Sequence, residues 1–358
     1  MTIQPRNHRS SQSRLLPLLG LATAMSVSGC AADDSTTPTP TPDAGPTIPG
    51  FRVKGRDLYD RCGEKVILRG VNEMVVWSSG KDGDPEFSEI AKTGANVVRI
   101  VWTAKDGTPA ELDKAIENAV AQKLIPMIEL HDATGDNTLI PTVVDWWVKP
   151  EVVAIIKKWE TVLLVNIANE AGAGTVSASV FEADYTTAVQ RMRAAGYHMP
   201  LIIDAPYWGQ NLNILISSGP AIIAADPDKN LMLSVHMWWN DPDGTRVTSS
   251  IANLVASNVP IIVGEFAQHA AGPQCSAAPF DYKTLMAQAQ ANSISWLVWS
   301  CGGVKNNDCK TDGPFDMTTD GTFAGLVPGW ATEIAVSDPN SIQNTSVRPA
   351  SMVNGKCN

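Results

Sequence analysis

The chain has 358 residues, of which 44% are hydrophobic and 18% charged, and its formal net charge at pH 7 is −10. This length suits one large α/β domain of roughly 250 to 300 residues, so a second domain is not required. The 37 acidic residues outnumber the 27 basic ones and no run of lysine and arginine occurs, which excludes electrostatic recognition of nucleic acid and favours a neutral partner.

The first 29 residues have the pattern of an export signal. Three arginines precede an apolar run that begins at Leu15 and is too short to span a membrane as a mature helix. Residues 27–30, Val-Ser-Gly-Cys, resemble a bacterial lipobox, whose cysteine is acylated and becomes the new first residue. We therefore predict a signal peptide over 1–29 and lipidation at Cys30; an ordinary cleaved signal with an incidental cysteine is the alternative.

Residues 30–49 would link this anchor to the folded part. The segment is rich in threonine and proline and nearly free of aromatic residues, so it cannot bury a core and is expected to be an extended tether. Loss of residues 1–29, which contain three arginines and no acidic residue, lowers the net charge from −10 to −13. These features predict an exported protein attached to the cell envelope, at the outer membrane or cell surface, through its lipid alone.

Apolar runs typical of buried strands alternate with helical patterns from residue 50 to about 336. Alternating strands and helices imply a parallel sheet covered on both faces, and eight such units predict a closed (β/α)8 barrel. A short hairpin before the first strand would close the barrel floor, and 337–358 would form a tail packed on the outside. The eight predicted strands cover 66–72, 96–102, 125–131, 162–169, 200–205, 231–237, 260–266 and 295–300.

Polar residues end most of these strands, where active sites of this fold form. Glu170 ends the fourth strand and Glu265 the seventh, so the barrel would bring two carboxylates together. Glycoside hydrolysis needs such a pair, one to protonate the leaving oxygen and one to attack or to activate water. A separation of about 5 to 5.5 Å would make the second a nucleophile and the reaction retaining.

Other strand-end residues would support this pair. Arg99 and His236 are expected to keep the nucleophile ionised and aligned, and Asn169 to bind a sugar 2-hydroxyl. Aromatic walls would bind the apolar faces of a neutral polysaccharide. The further candidates are Asn72, His131, Trp208, Trp238 and Trp299.

No cofactor or metal is expected. The sequence has no Cys-x-x-Cys or His-x-x-x-His spacing, and no Gly-x-Gly-x-x-Gly follows the first strand. An exported protein can pair cysteines, yet five remain besides Cys30, so at least one stays free. Cys62 could reach Cys357 if the chain ends meet, while Cys301 could pair with a neighbouring cysteine; spacing alone leaves the pairing open.

Several short stretches of the chain match one known family; they include RGVN (69–72), IELHDATG (128–135), VNIANE (165–170), DAPYWGQN (204–211), VGEF (263–266) and WLVWS (296–300). Through these stretches the chain resembles glycoside hydrolase family 5, and most of all its bacterial endo-β-1,4-mannanase branch, over about residues 52 to 346.

The resemblance implies a (β/α)8 barrel, a retaining mechanism and no metal. We also expect a monomer whose partner is a neutral β-linked polysaccharide. Residue by residue, it makes Glu170 the acid/base and Glu265 the nucleophile. It gives supporting roles to the family-matching positions Arg99, His131, Asn169, His236 and Trp299.

Several positions differ from the family pattern, among them Ala171, which stands where relatives usually follow the acid/base glutamate with proline. Trp238 replaces a tyrosine whose hydroxyl usually bonds the nucleophile, Cys301 replaces a tryptophan, and Glu73 stands where relatives tend to carry histidine. We therefore hold two alternatives to mannan hydrolysis: an endo-β-1,4-glucanase of the same family, and a carbohydrate-binding lipoprotein that has lost turnover.

Overall fold

The computed structural model describes residues 49–270, 278–306 and 315–357. The signal peptide, Cys30 and residues 31–48 of the tether lie outside these ranges, as do Cys275 and Cys309. Within the described ranges no helix is long and apolar enough to traverse a bilayer.

Eight parallel strands close into a barrel, in the order β4-β5-β6-β7-β8-β9-β10-β13, so the predicted (β/α)8 fold is confirmed. All residues of these strands are buried, as expected for strands covered on both faces. The strands are β1 (Arg52–Lys54), β2 (Asp57–Tyr59), β3 (Lys65–Val66), β4 (Arg69–Glu73), β5 (Val97–Trp102), β6 (Ile125–Leu130), β7 (Leu164–Asn166), β8 (Leu201–Asp204), β9 (Leu231–His236), β10 (Ile261–Glu265), β11 (His269–Ala270), β12 (Ala278–Pro279) and β13 (Trp296–Val298).

Helices cover the outside of the barrel and begin with side-chain caps at several points. In α2, for example, Thr108 and Glu111 form a reciprocal capping box that satisfies two free backbone N–H groups. The helices are α1 (Glu86–Lys92), α2 (Pro109–Ala121), α3 (Ile140–Trp147), α4 (Pro150–Trp159), α5 (Ala178–Ala194), α6 (Leu212–Ala225), α7 (Thr245–Ser257), α8 (Tyr282–Ala291), α9 (Trp330–Thr332), α10 (Ile342–Thr345) and α11 (Ala350–Val353).

Helix α6 is hard to recognise in the sequence. It is apolar on nearly every face and contains Pro220, so it lacks the one-sided pattern by which an amphipathic helix is recognised. The first barrel strand also begins later than predicted, at Arg69, because residues 65–66 pair with β2 instead.

The N-terminal segment closes one end of the barrel, as predicted, with three antiparallel strands rather than two. We call this end the floor. Phe51, Leu58 and Leu68 pack there against apolar side chains from the first halves of the barrel strands, including Met127. The tail contributes Met352 to the same cluster. The floor is therefore an apolar plug.

Cys62 and Cys357 form a disulfide at the two ends of the described chain, with their Cα atoms 5.1 Å apart. Cys301 is buried and forms no disulfide with another described cysteine. The bond joins the N-terminal sheet to the tail across 295 positions of sequence.

Candidate active site

Arg99 lies at the centre of the other end of the barrel, which we call the mouth. It projects from β5 and is buried, and its guanidinium donates hydrogen bonds to side-chain oxygens on β4, β7, β8 and β10 and on the segment that follows β7. Its partners are Asn72 Oδ1 (3.0 Å), Asn166 Oδ1 (2.7 and 3.0 Å), Asn169 Oδ1 (2.8 Å), Asp204 Oδ2 (3.3 Å) and Glu265 Oε1 (2.7 Å).

Glu265, at the end of β10, is held by two hydrogen-bond donors and lies beside His236. Its Oε1 accepts from Arg99 at 2.7 Å, and its Oε2 accepts from the indole Nε1 of Trp238 at 3.1 Å and lies 3.3 Å from His236 Nδ1. Burial raises the pKa of Glu265, and the charge of Glu170 adds to this, while His236 and Arg99 oppose it. Trp238 therefore takes over, through its N–H, the contact that the family makes through a tyrosine hydroxyl.

Glu170 follows β7 in a left-handed backbone conformation, with φ of +46°. Its Oε1 bonds His236 Nδ1 at 2.7 Å, and its backbone N–H donates to Asp204 Oδ2 at 3.1 Å. A non-glycine residue seldom adopts this backbone conformation, because it costs free energy. It persists only where surrounding contacts impose it. Asp204 supplies such a contact.

His236 joins the two glutamates from β9. Burial alone would lower the pKa of His236, but the charges of Glu265 and Asp204 raise it to about 10. At neutral pH the ring is therefore an imidazolium that faces both carboxylates. It fits only because Gly264 and Gly209 pack against it; an added Cβ would lie 2.9 Å from its Nε2 at Gly264 and 2.5 Å from its Cγ at Gly209.

Asp204 and Asn166 belong to this network, and the sequence did not identify them as site residues. Asp204 accepts hydrogen bonds from Arg99, Asn166 and the Glu170 backbone, and its Oδ1 lies 3.5 Å from His236 Nε2. Burial would raise the pKa of Asp204, yet His236 and then Arg99 lower it to about 2. Asp204 ends a predicted strand, as the chosen candidates do, so its position was the available signal.

Asn169 and His131 lie on the side of β6. Asn169 Nδ2 donates to Thr134 Oγ1 at 2.9 Å and lies 3.4 Å from His131 Nε2. The other ring nitrogen of His131 bonds the buried Glu129 at 2.9 Å. Burial opposes protonation of His131, but Glu129 more than compensates and raises its pKa.

The predicted tryptophans have different positions. Trp299 stacks on His131, with ring centroids 6.2 Å apart, and forms part of the wall above the carboxylates. Trp208 is 42% exposed at the rim, where an added Cβ on Gly135 would lie 2.6 Å from its Nε1. Trp208 thus belongs to the rim rather than to the network around Arg99.

Asn72 and Glu73 occupy the end of β4. Asn72 accepts from Arg99 and donates to the carbonyls of Gly264 and Val298, which fixes its amide orientation. The Glu73 carboxylate accepts from the backbone N–H groups of Gly303 and Val304. Burial raises the pKa of Glu73 to about 7, although these N–H groups oppose the change. Glu73 thus anchors the loop that follows the last barrel strand.

Side-chain atoms of Glu170, His236 and Glu265 lie within 4.8 Å of one another, a spacing that could also hold a cation. His236 lies between the two glutamates, with its Nδ1 2.7 Å from Glu170 Oε1 and 3.3 Å from Glu265 Oε2.

The sequence profile described as "Cellulase (glycosyl hydrolase family 5)" matches residues 59–305. A mannan endo-1,4-beta-mannosidase of Salipaludibacillus agaradhaerens is 32% identical over 83% of this chain and 94% of that protein. Another, from Cellvibrio japonicus, is 31% identical over 86% of this chain and 70% of that protein.

Solved structures show the same likeness. A Thermomonospora fusca beta-mannanase in complex with mannotriose superimposes with a TM-score of 0.74 at 28% identity, covering 85% of this chain and 99% of that chain.

Proposed function

The chain belongs to glycosyl hydrolase family 5 and is a glycoside hydrolase, and we propose that it is an endo-acting, retaining β-1,4-mannanase that cuts mannan, glucomannan or galactomannan. The relatives above support the polymer. The observation that carries the chemistry is the pair of buried glutamates whose carboxylate oxygens approach within 4.8 Å on either side of His236.

In the first step of the proposed mechanism, Glu265 forms a bond to the anomeric carbon while the glycosidic C–O bond breaks. Glu170 gives its proton to the leaving oxygen. Arg99 and Trp238 hold the two oxygens of Glu265, one each, so that the carboxylate is aligned before the substrate enters. The close approach of the two carboxylates supports this displacement, since an inverting enzyme needs a separation of about 6.5 Å or more to fit water.

In the second step water attacks the anomeric carbon, its proton passes to Glu170, and the bond to Glu265 breaks. The His236 imidazolium contacts both carboxylates, so it can stabilise whichever one is negative at each stage. Asn169, held between Arg99 and Thr134, is placed to donate to a sugar 2-hydroxyl.

The test is hydrolysis by the folded domain, beginning near Gly50, of linear mannan, glucomannan, carboxymethylcellulose and xylan, side by side. We expect reducing-sugar release from the mannans, and proton NMR of the first product should show the β-anomer. As a control, the substitution Glu117→Gln on the exposed face of α2 should leave this hydrolysis unchanged. Activity on carboxymethylcellulose alone would favour the glucanase, and binding without hydrolysis by a folded domain would favour the non-catalytic lipoprotein.

For the N-terminal segment we propose export and lipid anchoring at Cys30. The lipobox-like residues 27–30 and the tether of 31–49 support this. The full chain expressed in a bacterium should partition into detergent, and Cys30→Ala should partition into water with unchanged specific activity. Equal partitioning of the two proteins would contradict the anchor.

A further inference from the structure

Two pairs of adjacent aromatic residues at the mouth point in different directions. Trp238 contacts Glu265 and Trp208 lies by Gly135 at the cleft rim. Their neighbours Tyr207 and Trp239 instead line a second depression of about 290 Å³ between the first turns of α6 and α7. We call it the rim groove; its other polar lining residues include Gln210, Asn213, Arg246 and Asn253.

Arg246 is held in place at the rim groove. Its guanidinium lies 3.9 Å from the ring centroid of Trp239, which is buried. Within the described residues the guanidinium has no hydrogen-bond acceptor of its own, so its donors remain available. Because stacking on the rigid Trp239 ring already restricts the Arg246 side chain, binding of a ligand would cost less conformational entropy.

Three of the four side-chain amides that line the rim groove are also unengaged. The side chains of Gln210, Asn213 and Asn253 make no hydrogen bond to any described residue, while Asn211 caps α6. Amide groups and a guanidinium together offer the donors and acceptors that sugar hydroxyls need.

Tyr207 supplies an aromatic surface. It is 47% exposed, and it starts a run of three left-handed residues with φ values of +61°, +49° and +73° at Tyr207, Trp208 and Gly209. Such a run costs free energy, and retained strain of this kind clusters at ligand sites. Here it keeps a large ring in solvent at the edge of the groove.

From these observations we propose that the rim groove binds a hexopyranose unit of a neutral polysaccharide, separately from the catalytic cleft. The ring of Tyr207 would pack on an apolar sugar face, and Arg246 with the amides would bind hydroxyls. The carboxylate of Asp241 accepts from the backbone N–H of Arg246 at 3.1 Å, and this negative charge beside the groove favours a neutral over an anionic ligand. The polymer assignment rests on the proposed function; the groove would hold another stretch of the same mannan.

Two substitutions in the otherwise intact domain test this, Arg246→Gln and Tyr207→Ala. Arg191→Gln removes a guanidinium from the outer face of α5 and is the matched control. We would measure kcat and KM on long linear mannan and on mannotriose, which serves as the short substrate. Calorimetry with mannohexaose would count binding sites in a Glu265→Gln background.

We expect Arg246→Gln to raise KM on long mannan about tenfold through the loss of one hydrogen bond with a charged donor, and Tyr207→Ala to raise it by a similar factor through the loss of packing on the sugar face. For both variants kcat and the mannotriose constants should be unchanged. Calorimetry should then show two sites in the Glu265→Gln protein and one after Arg246→Gln is added. Unchanged polymer kinetics with a single site, or equal losses on both substrates, would overturn the proposal. Failure of the unsubstituted domain to hydrolyse either substrate would instead contradict the mannanase assignment.

Discussion

The two ends of the barrel are built from the same eight strands but filled in opposite ways. At the floor, Phe51, Leu58 and Leu68 plug the interior with apolar side chains. At the mouth, the same interior holds Arg99, His236 and several carboxylates, all buried.

This difference divides two tasks. Apolar burial at the floor stabilises the fold by about 25 cal/mol per Å² removed from water. Burying charges at the mouth costs free energy that their mutual attraction only partly returns. The floor should therefore contribute most of the stability and the mouth the activity, and at neutral pH substitutions at each end should affect mainly one of the two properties.

The largest effect is expected at the mouth. Glu265→Gln removes the proposed nucleophile and should lower kcat on mannan by on the order of 10⁴-fold. The melting temperature should hardly change, because Arg99 keeps Glu129 and Asp204 beside it. Calorimetric unfolding and initial rates would check this. Loss of folding together with activity would show that the mouth also sustains the fold.

A reverse pattern is expected at the floor. Leu58→Ala empties space in the plug and should reduce the free energy of unfolding by about 3 kcal/mol, as for other buried leucines. The activity of the protein that remains folded should not change. Denaturant titration measures the loss, and Leu139→Ala, at an exposed leucine, should change stability by less than about 0.5 kcal/mol. A comparable fall in kcat would break the division.

Asp204→Asn should have a smaller effect on rate and a distinct effect on pH dependence. We expect kcat to fall about 10²-fold, since Glu170 and His236 lose a positioning partner. The His236 pKa of about 10 exceeds its ordinary 6.5, so its contribution to stability is complete below pH 6.5 and disappears as pH approaches 10.

Without the Asp204 charge this alkaline limit, for activity and stability, should move to lower pH. Rate and melting profiles from pH 5 to 10 would show the shift. Asp226→Asn, which alters a buried pair with Arg193 away from the mouth, should reduce stability without moving the activity limit. An unmoved limit in Asp204→Asn would contradict the role given to His236.

Trp238→Phe should produce the smallest change. Loss of one indole N–H to Glu265 is expected to reduce kcat about tenfold and to raise the pKa of Glu265 further, so the acidic limb of the rate profile shifts upward. Trp159→Phe breaks a similar indole bond, to Asp113 on the outer surface, and should leave the profile unchanged. Restoration of the rate by Trp238→Tyr would support replacement of the hydroxyl by the N–H.

Much of this architecture can be predicted from the sequence, because the barrel requires apolar strand runs that recur along the chain. The eight strand runs predicted the fold, and strand-end position alone selected Glu170 and Glu265. The contact from Trp238 to Glu265 was not foreseen, since it depends on a side-chain orientation that the backbone pattern does not fix.

The sequence predicted only part of the hydrogen-bond network around Arg99. Asn166 and Asp204 acquire their partners through the strand register, which pairs Asn166 with Ile202 and Asp204 with Ser234. Register is set by three-dimensional packing and turn geometry rather than by the composition of one strand. Helix α6 is hard to recognise in the sequence for a different reason. Its apolar residues surround the whole helix and leave no polar face to mark it.

The disulfide between Cys62 and Cys357 makes nearly the whole folded chain a covalent ring. One backbone cut within that ring opens it without separating any piece. After a protease cuts one loop between the two cysteines, the two pieces of the chain should therefore stay joined. They should separate into two fragments only when a reductant is added. If new chain termini were introduced at such a loop, the disulfide would likewise keep the chain joined, so the barrel should tolerate circular permutation.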